Sequence, residues 1–357
     1  MVSEKYVDSD EYQCEIAGQF KKRLVQIPAA KVGKLLNTLG IFGVDISLIN
    51  EAAAGNMNAT YLTPDLAIKI NPNKEKTCYL ADKIIFDILG KAWPIAEVLA
   101  YDFFGKTDCE ILVMKRAKGA LLLDDIFDLG QNDLIGLFRE VLAVVKRFFD
   151  IKFSDHGFIN GSPDRFMRYS DFLIDRFKSN VKTIESQGLC GSNDIKKIKD
   201  YFLRYVSIFD EGEAVFVHAD VQMGNIIHNG DKLAALIDCD YSMKAPKIRA
   251  LVPLLGFIAE PSQFVEGTKE FAKFNKKSFY YLLPVLKQEL PELFVDPQLL
   301  RKLNIIGIGE GMMWVSQNWS KDWNHELIAD IINREIAEKD EDLQKSYYGK
   351  ILARLDG

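Results

Sequence analysis

The spacing of hydrophobic residues changes near residue 116 and divides the chain into two parts. Before that point, short apolar runs predict β-strands at about 46–49, 61–62, 66–70, 97–103 and 110–115. An amphipathic segment at 74–90 interrupts these runs, because its apolar residues recur with the 3.6-residue period of a helix. A second helical pattern lies at about 11–39. This part of the sequence therefore predicts a mostly antiparallel sheet with one main helix.

Helical periodicity dominates the rest of the chain. The predicted helices lie at about 132–150, 165–187, 193–208, 248–258, 276–288, 298–318 and, with breaks, 322–355. Only the segment 215–240 lacks this helical periodicity, and its pattern predicts a strand, a loop and a second strand. We therefore predict an α+β arrangement of two lobes. Residues 1–115 are the small lobe with an N-terminal helical extension, 116–119 are the linker, and 120–357 are the larger, mainly helical lobe.

The composition is that of a globular protein, and it argues against some classes of binding partner. The 357 residues carry a net charge of −6, which argues against a nucleic acid partner because phosphate backbones favour clustered Lys and Arg. No apolar run approaches the roughly 18 residues of a membrane span, and the first residues lack the apolar core of a signal peptide. The five cysteines are scattered, without a CxxC pair. We therefore expect a cytoplasmic protein with reduced thiols, no zinc site and no membrane partner; the oligomeric state stays open.

Three polar residues in the segment 215–240 have the spacing of a phosphotransfer site. Asp220 follows an apolar run, Asn225 comes five residues later, and Asp238 ends the second apolar run. A carboxylate such as Asp220 can accept the hydrogen bond of an attacking hydroxyl and orient it toward a phosphate. The amide oxygen of Asn225 and the carboxylate of Asp238 are hard ligands that suit Mg²⁺. Each residue alone would also suit a turn or a cap, but together they predict a kinase.

Further polar residues of this segment are candidates for holding the catalytic loop in place. In an extended backbone Asp240 would share a face with Asp238, so it either joins the metal site or is solvated. A histidine such as His218 more commonly braces such a loop by hydrogen bonding than acts as a base. It could also be a metal ligand, but no second histidine accompanies it in that role. His228 has the context of a turn residue.

The first part of the chain contributes Lys69. In the run LAIKI the residues beside Lys69 are apolar, which places Lys69 on the other face of the strand. A lysine on a half-buried strand needs a partner, and a nucleotide phosphate together with a helix carboxylate would provide two. That carboxylate is Asp82 or, nearer the helix start, Glu75. A solvated lysine is the alternative.

The stretch AAAGNMNATY ahead of this strand is a candidate phosphate loop. Gly55 permits a close backbone approach, and Asn56 and Asn58 tolerate unusual dihedral angles. Backbone N–H groups of such a loop can hold phosphates. An ordinary hairpin turn would have the same composition.

These motifs resemble those of a known superfamily. HADVQMGNII and ALIDCDYS are similar to the HGDLHxGNxL and IDxE/D signatures of the aminoglycoside phosphotransferase and choline kinase superfamily. The likeness extends to GNMNATY, LAIKI, WPIAEVLAYD and ILVMKRAKG and covers roughly residues 40–260. It implies a protein-kinase-like fold, with Asp220 catalytic, Asn225 and Asp238 as Mg²⁺ ligands and Lys69 as the phosphate lysine. It also implies a hinge that holds the nucleotide base through backbone groups, formed by Met114, Lys115, Arg116 and Ala117.

The chain departs from this family after Asp238. Where the family usually has a segment like GDPxxDLA, the sequence reads KAPKIRALVPLLGF, so Pro246 and Ala250 stand in place of two aspartates. In the family the second aspartate braces the catalytic loop, and its loss would loosen that loop unless His218 or Arg249 compensates. The departure favours a pseudokinase or regulatory module, whereas the intact motif residues favour an enzyme.

The resemblance implies ATP or GTP as the phosphate donor and a small hydroxylated acceptor. An aminoglycoside is the default acceptor, and choline, homoserine or a sugar are alternatives. Acidic residues in the helical part are candidates for binding a cationic acceptor, namely Glu260, Glu266, Glu310 and Asp322. Three tryptophans would suit a quaternary ammonium group through cation–π contact, although large aromatic residues more commonly pack in cores: Trp314, Trp319 and Trp323.

Overall fold

The computed structural model describes residues 27–51, 59–72, 79–159, 165–266, 268–317, 321–337 and 339–355. An antiparallel sheet is followed by a mainly helical region, which confirms the predicted α+β fold class. Within the described ranges, no helix has both the length and the apolar character that a membrane crossing requires.

A five-stranded sheet forms most of the N-terminal lobe. Its elements are α1 (Ala29–Thr38), β1 (Asn50–Glu51), β2 (Ala59–Leu62), β3 (Leu66–Asn71), α2 (Leu80–Leu89), β4 (Val98–Phe103) and β5 (Glu110–Lys115). The strands lie in the order β1–β2–β3–β5–β4, and every neighbouring pair is antiparallel. Because β3 is paired on both sides, Lys69 is fixed on it between Thr60 of β2 and Leu112 of β5.

The prediction of a strand at 46–49 is wrong. Residues Ile46–Leu48 form a 3₁₀ turn instead, and the side chain of Asp45 caps it. The Asp45 carboxylate accepts hydrogen bonds from the backbone N–H of Ser47 at 2.9 Å and from its hydroxyl at 2.7 Å. Such local side-chain bonds compete with a sheet ladder, so β1 begins only at Asn50.

The C-terminal lobe is mainly helical and contains two small antiparallel sheets, β11–β10–β6 and β7–β9–β12–β8. Its strands are β6 (Ala120–Leu121), β7 (Lys152–Phe153), β8 (Gly157–Phe158), β9 (Ala214–Val217), β10 (Ile226–Asn229), β11 (Lys232–Leu236) and β12 (Met243–Ala245). Its helices are α3 (Leu122–Asp125), α4 (Gln131–Phe148), α5 (Tyr169–Gln187), α6 (Ser192–Tyr205), α7 (Leu251–Ala259), α8 (Phe271–Phe274), α9 (Leu283–Glu289), α10 (Leu299–Ser316), α11 (Lys321–Asp330) and α12 (Tyr347–Leu352). A π-helical segment, Ile331–Glu335, continues α11.

One helix of this lobe is shorter than its pattern predicts. The periodicity predicts a helix over 276–288, whereas a 3₁₀ turn at Tyr280–Leu282 leads into α9. Pro284 lies in the first turn of α9. Proline lacks a backbone N–H and is tolerated in that turn but not in a helix interior, which sets the start of α9.

The core of the C-terminal lobe fixes the position of the catalytic segment. Every residue of β9 is buried in it, and β9 leads directly into His218. Two residues of α2, Ala81 and Ile85, belong to the same core although they come from the N-terminal lobe. This packing anchors α2 on the C-terminal lobe and brings Asp82, the neighbour of Ala81, close to the end of β11.

His228 connects α3 to β10 and is a structural residue, not the simple turn residue that the sequence suggests. It is buried, its Nε2 lies 2.8 Å from Asp125 Oδ1, and its Nδ1 lies 2.8 Å from the carbonyl oxygen of Gly230. We expect His228→Ala to lower the free energy of unfolding by about 2–4 kcal/mol, because it leaves buried partners unpaired and a void. Urea unfolding would measure this. The exposed neighbour provides the control, since Asn229→Ala should change stability by less than about 0.5 kcal/mol; equal effects of the two variants would contradict the assignment.

Candidate active site

The catalytic candidate Asp220 lies on a loop that its own neighbours fix. The loop leaves β9 through Ala219, whose φ of 59° lies in the left-handed region. The Asn225 side-chain amide then donates to the Asp220 carbonyl oxygen and to its Oδ2, both at 2.8 Å. One residue predicted as a metal ligand therefore holds both the backbone and the side chain of the predicted catalytic residue, and it leaves Asp220 Oδ1 for another partner.

Hydrogen bonds tie the second predicted metal ligand to this loop. The Ile237 backbone N–H donates to the Asn225 carbonyl oxygen at 2.9 Å, and the next residue is Asp238. His218 Nε2 lies 3.1 Å from the Ile237 carbonyl oxygen. The buried imidazole of His218 thus connects the two loops, which is the bracing position that the sequence suggests.

Lys69 lies among three carboxylates. Its Nζ is 2.7 Å from Asp238 Oδ1, 3.3 Å from Asp240 Oδ1 and 3.5 Å from Asp82 Oδ2. The other oxygen of Asp82 accepts the backbone N–H of Cys239 at 3.2 Å. The structure therefore places Asp82 beside Lys69, as one of the two sequence alternatives proposes, and it adds two further acidic partners.

The backbone around Asp238 is not extended, so the sequence argument that Asp238 and Asp240 share a strand face is wrong. Asp238 has φ 67° and ψ 68°, and the next three residues form a 3₁₀ turn. Instead, the left-handed backbone of Asp238 and the turn that follows it place the two carboxylates on the same side. Both reach Lys69. Left-handed backbone in a non-glycine residue costs energy and often marks a functional site.

Burial and neighbouring charges shift the pKa values of the carboxylates in the site. Burial and, after it, the charge of Asp238 raise the pKa of Asp220 to about 7, although the Asn225 hydrogen bond opposes the rise. Burial together with the charge of Asp238 holds the pKa of Asp240 well above its usual range. Burial would also raise the pKa of Asp238, but Lys69 outweighs it and lowers that pKa. Asp238 is therefore the carboxylate best suited to remain charged at neutral pH.

The acidic residues around Lys69 offer oxygen ligands of the kind that a divalent cation binds. Carboxylate oxygens of Asp82, Asp238 and Asp240 lie within 4.8 Å of one another. Asn225 directs its amide nitrogen to Asp220, which leaves its amide oxygen for a ligand. The donor set is made of oxygen atoms only, and Mg²⁺ binds such sets together with phosphates and water.

The predicted hinge begins in the last two residues of β5 and continues past its end. Met114 is buried in the strand. The Lys115 N–H donates to the Glu97 carbonyl oxygen at 2.8 Å, and the Arg116 N–H donates at 2.8 Å to a carbonyl in the β2–β3 turn. Among the hydrogen bonds that the described residues make, none uses the N–H of Ala117. Within the predicted hinge, the Ala117 N–H is therefore available to a ligand.

Several predictions cannot be compared with the structure, among them the first part of the helix predicted at 11–39 and the candidate Trp319, which lie outside the described residues, and the side chains of Asp322 and Trp323, which are not described. The candidate phosphate loop with Gly55, Asn56 and Asn58 lies outside the described residues, and so does Glu75, the alternative partner of Lys69. Their proposed roles stay predictions.

The region that departs from the family motif contains a buried ion pair. Ala250 is buried, and the preceding residue, Arg249, is paired with Glu310 of α10. The Arg249 guanidinium also lies against the Tyr169 hydroxyl at the start of α5. The sequence pointed to Arg249 as a substitute brace and to Glu310 as one of four candidates for binding a cationic acceptor. Because 61 residues separate them, no local pattern could have paired the two.

Comparison with known proteins places this geometry in a fold family. No family model and no curated protein matches the chain. Among solved structures, APH(4)-Ia in complex with AMP-PNP and hygromycin B superposes with a TM-score of 0.60 at 16% identity, over 89% of this chain and 99% of that chain. The streptomycin–ATP complex of APH(2″)-IIa gives 0.57 at 13% identity, over 86% and 97%. ADP-bound APH(2″)-Ib gives 0.58 at 14% identity, over 91% and 99%.

At these identities the likeness is one of fold, and at that level it confirms the resemblance that the motifs suggest. The antiparallel sheet of the N-terminal lobe and the mainly helical second lobe match that fold. The chain has the protein-kinase-like fold of the aminoglycoside phosphotransferases.

Proposed function

We propose that this protein is a kinase that transfers the terminal phosphate of ATP or GTP to a hydroxyl group of a small molecule. One observation carries the proposal: the hydrogen bonds of Asn225 join the candidate base, Asp220, to the segment that bears Asp238. A base and two hard-cation ligands in one bonded network are what phosphoryl transfer to a hydroxyl requires.

Asp220 orients the nucleophile in this proposal. Its Oδ1 accepts the hydrogen bond of the acceptor hydroxyl while Asn225 holds Oδ2. The hydroxyl oxygen forms a bond to the terminal phosphorus, the bond to the leaving nucleoside diphosphate breaks, and Asp220 receives the proton late. Mg²⁺ bound by Asn225 and Asp238 would neutralise the charge of the transferred phosphate.

The N-terminal lobe holds the nucleotide in this proposal. Lys69 exchanges part of its contact with Asp238 for a phosphate oxygen, while Asp82 keeps the lysine in place. The Ala117 N–H and the backbone of the hinge bind the base. The loop with Gly55, Asn56 and Asn58 is proposed to cover the phosphates through backbone N–H groups.

An aminoglycoside is the default acceptor. The structural neighbours include complexes with streptomycin, hygromycin B and gentamicin, and the acidic net charge of −6 suits a cation. A panel of kanamycin, choline, homoserine and glucose, each with ATP and with GTP, would test the proposal through release of nucleoside diphosphate. Release with a different member of the panel would replace the aminoglycoside and keep the kinase. Nucleotide binding without turnover of any acceptor would favour the pseudokinase alternative.

The metal site yields a separate prediction. We expect Asp238→Asn to weaken the apparent affinity for Mg²⁺ in turnover by more than about 100-fold, because it removes the charged member of the ligand pair. The measurement is a Mg²⁺ titration of nucleoside diphosphate release at saturating nucleotide. Asp65→Asn, which alters an exposed ion pair with Lys118, should leave the titration unchanged. An unchanged Mg²⁺ response of Asp238→Asn would remove this residue from the metal site.

A further inference from the structure

The α2 helix and the residues that follow it contact the segment that bears Asp238 on both of its sides. The Asp82 carboxylate accepts the backbone N–H of Cys239, one residue after Asp238, at 3.2 Å. The Pro94 carbonyl oxygen accepts the backbone N–H of Leu236, two residues before Asp238, at 2.8 Å. We call Asp82, Pro94 and the chain between them the α2 clamp. It connects the N-terminal part of the chain to the backbone around a predicted metal ligand.

The α2 clamp is fixed to the C-terminal lobe by packing. Five apolar side chains of this region lie in or against the core of that lobe: Ala81, Ile84, Ile85, Leu89 and Ile95. Ile95 also forms an isolated parallel bridge with Leu236, beside the hydrogen bond from Pro94. The Trp93 ring centre lies 5.8 Å from the guanidinium carbon of Arg147 in α4. The two acceptors of the clamp are therefore held against the lobe that carries Asp238.

Asp238 needs such support because its backbone conformation is uncommon. Its φ of 67° lies in the left-handed region, which costs free energy in a residue other than glycine and persists only where surrounding contacts fix it. The catalytic loop holds the N–H and the carbonyl oxygen of Ile237. The clamp holds the N–H groups of Leu236 and Cys239. Loss of the clamp would let this backbone relax and would change the direction of the Asp238 carboxylate.

The contact of Asp82 with the backbone is the one that no other residue replaces. Asp82 Oδ2 also lies 3.5 Å from Lys69 Nζ, but Lys69 has two closer carboxylates, Asp238 and Asp240. The buried N–H of Cys239 bonds only to Asp82 among the hydrogen bonds of the described residues. Without Asp82, Lys69 would keep two partners, whereas this N–H would keep none.

We propose that the α2 clamp is a positioning device for the metal ligand Asp238, with Asp82 as its positioning side chain. The inference rests on the proposed kinase function, because it assigns the clamp to the Mg²⁺ site of that function. Groups that orient a metal ligand without touching the ion commonly change metal affinity by about 10- to 100-fold when they are removed. Loss of the clamp therefore weakens metal binding more than it weakens nucleotide binding in the absence of metal.

The test compares Asp82→Leu with Asp82→Asn. Leucine removes the acceptor of the Cys239 N–H, whereas asparagine keeps an oxygen atom and loses the charge. Mn²⁺, a paramagnetic substitute for Mg²⁺, would be titrated into the ADP-bound protein and followed by electron paramagnetic resonance. We expect Asp82→Leu to weaken Mn²⁺ binding by about 10- to 100-fold and Asp82→Asn by less than about threefold. The affinity for ADP in EDTA should change less than about threefold in either variant.

Hydrogen exchange gives a readout that does not depend on the metal. The peptide that contains residues 232–242 should take up deuterium faster in Asp82→Leu than in the parent, because the Cys239 N–H has lost its acceptor. Asp82→Asn should exchange like the parent. Asp87→Leu is the matched control, since Asp87 lies on the same helix but is exposed and paired with Lys83. It should change neither the exchange nor the Mn²⁺ affinity.

Ile95→Ala tests the second contact of the clamp without altering the charged residues. Loss of its packing should loosen the Pro94 contact, speed exchange at Leu236 and weaken Mn²⁺ binding by about 3- to 10-fold. If Asp82→Leu did not fold, Ile95→Ala would decide alone.

Three results would overturn the inference and leave the kinase intact. These are unchanged Mn²⁺ binding in Asp82→Leu, unchanged Mn²⁺ binding in Ile95→Ala, and equal weakening in Asp82→Leu and Asp82→Asn, which would make Asp82 a direct ligand or a charge partner of Lys69. Absence of Mn²⁺ binding to the ADP-bound parent protein would instead overturn the proposed function itself.

Discussion

Replacement of Asp220 by asparagine is expected to lower kcat by about 10²–10⁴-fold while the protein still folds and binds nucleotide. The amide nearly matches the carboxylate in size, so Asn225 retains a side-chain oxygen to which it can donate. It cannot take the proton of the acceptor hydroxyl, and its NH₂ group donates where a lone pair is needed. The expected loss therefore falls on the chemical step. Steady-state kinetics and calorimetric nucleotide binding would measure the two effects separately.

Asp231→Asn provides the control for this variant. Asp231 lies exposed at the turn between β10 and β11, in the same part of the chain, and its pairing with Lys232 is a loose 3.9 Å. Its replacement should leave both kcat and nucleotide affinity within error. If Asp220→Asn kept more than about a tenth of the parent kcat, the assignment of a proton-accepting role would fail, whatever the nucleotide affinity.

The residues of the candidate site that the sequence predicts well are those whose neighbours along the chain determine them. The strand that bears Lys69 and the strand beside it follow from the runs 66–70 and 110–115, and both appear in the structure. Asp220 and Asn225 lie five residues apart, so one loop brings them together. In each case short-range geometry suffices, and the pattern carries the information.

The parts that the sequence could not predict depend on tertiary packing or on single side-chain bonds. The Asp45 cap turned a predicted strand into a 3₁₀ turn through one carboxylate. The left-handed backbone of Asp238 could not be predicted from the residue type, since aspartate visits this region more readily than most residues but also adopts extended and turn conformations. Arg249 and Glu310 meet only because α10 packs against the turn before α7. The choice of the acceptor depends on such contacts, which is why the motif predicts the chemistry and not the substrate.

The second large effect is expected for Lys69→Met, which should lower the free energy of unfolding at neutral pH by about 3–5 kcal/mol and abolish turnover. Removing one member of a buried ion cluster leaves the other charges uncompensated. Here Lys69 is buried with Asp82 and Asp240, and Asp238 is its closest partner at 2.7 Å. Urea unfolding would give the stability, and nucleotide binding would show the loss of the phosphate contact.

The pH dependence of this variant follows from the sign of the remaining charges. Without Lys69, burial and mutual repulsion raise the folded-state pKa of Asp238 and of Asp240 above the unfolded values. Above the folded-state pKa of these carboxylates, the variant is destabilised in full. The destabilisation disappears as the pH falls toward their unfolded-state pKa of about 4, because the carboxylates are then protonated in the folded and the unfolded state alike. The deficit relative to the parent should therefore shrink between pH 7 and pH 5. A deficit that stayed constant over this range would show that the loss comes from packing.

Charge and shape can be separated by two companion variants of Lys69. Lys69→Arg keeps the positive charge beside Asp238 and should retain most of the stability, but its planar guanidinium should still impair phosphate binding because arginine and lysine present their donors differently. Combining Lys69→Met with Asp240→Asn should recover part of the lost stability, since it removes one of the repelling charges. Lys232→Met, at an exposed pair with Glu140, should cost no more than about 1 kcal/mol. If the double variant were less stable than Lys69→Met alone, the repulsion among these carboxylates would not be the cause, and Asp240 would instead have to stabilise the fold through its own contacts.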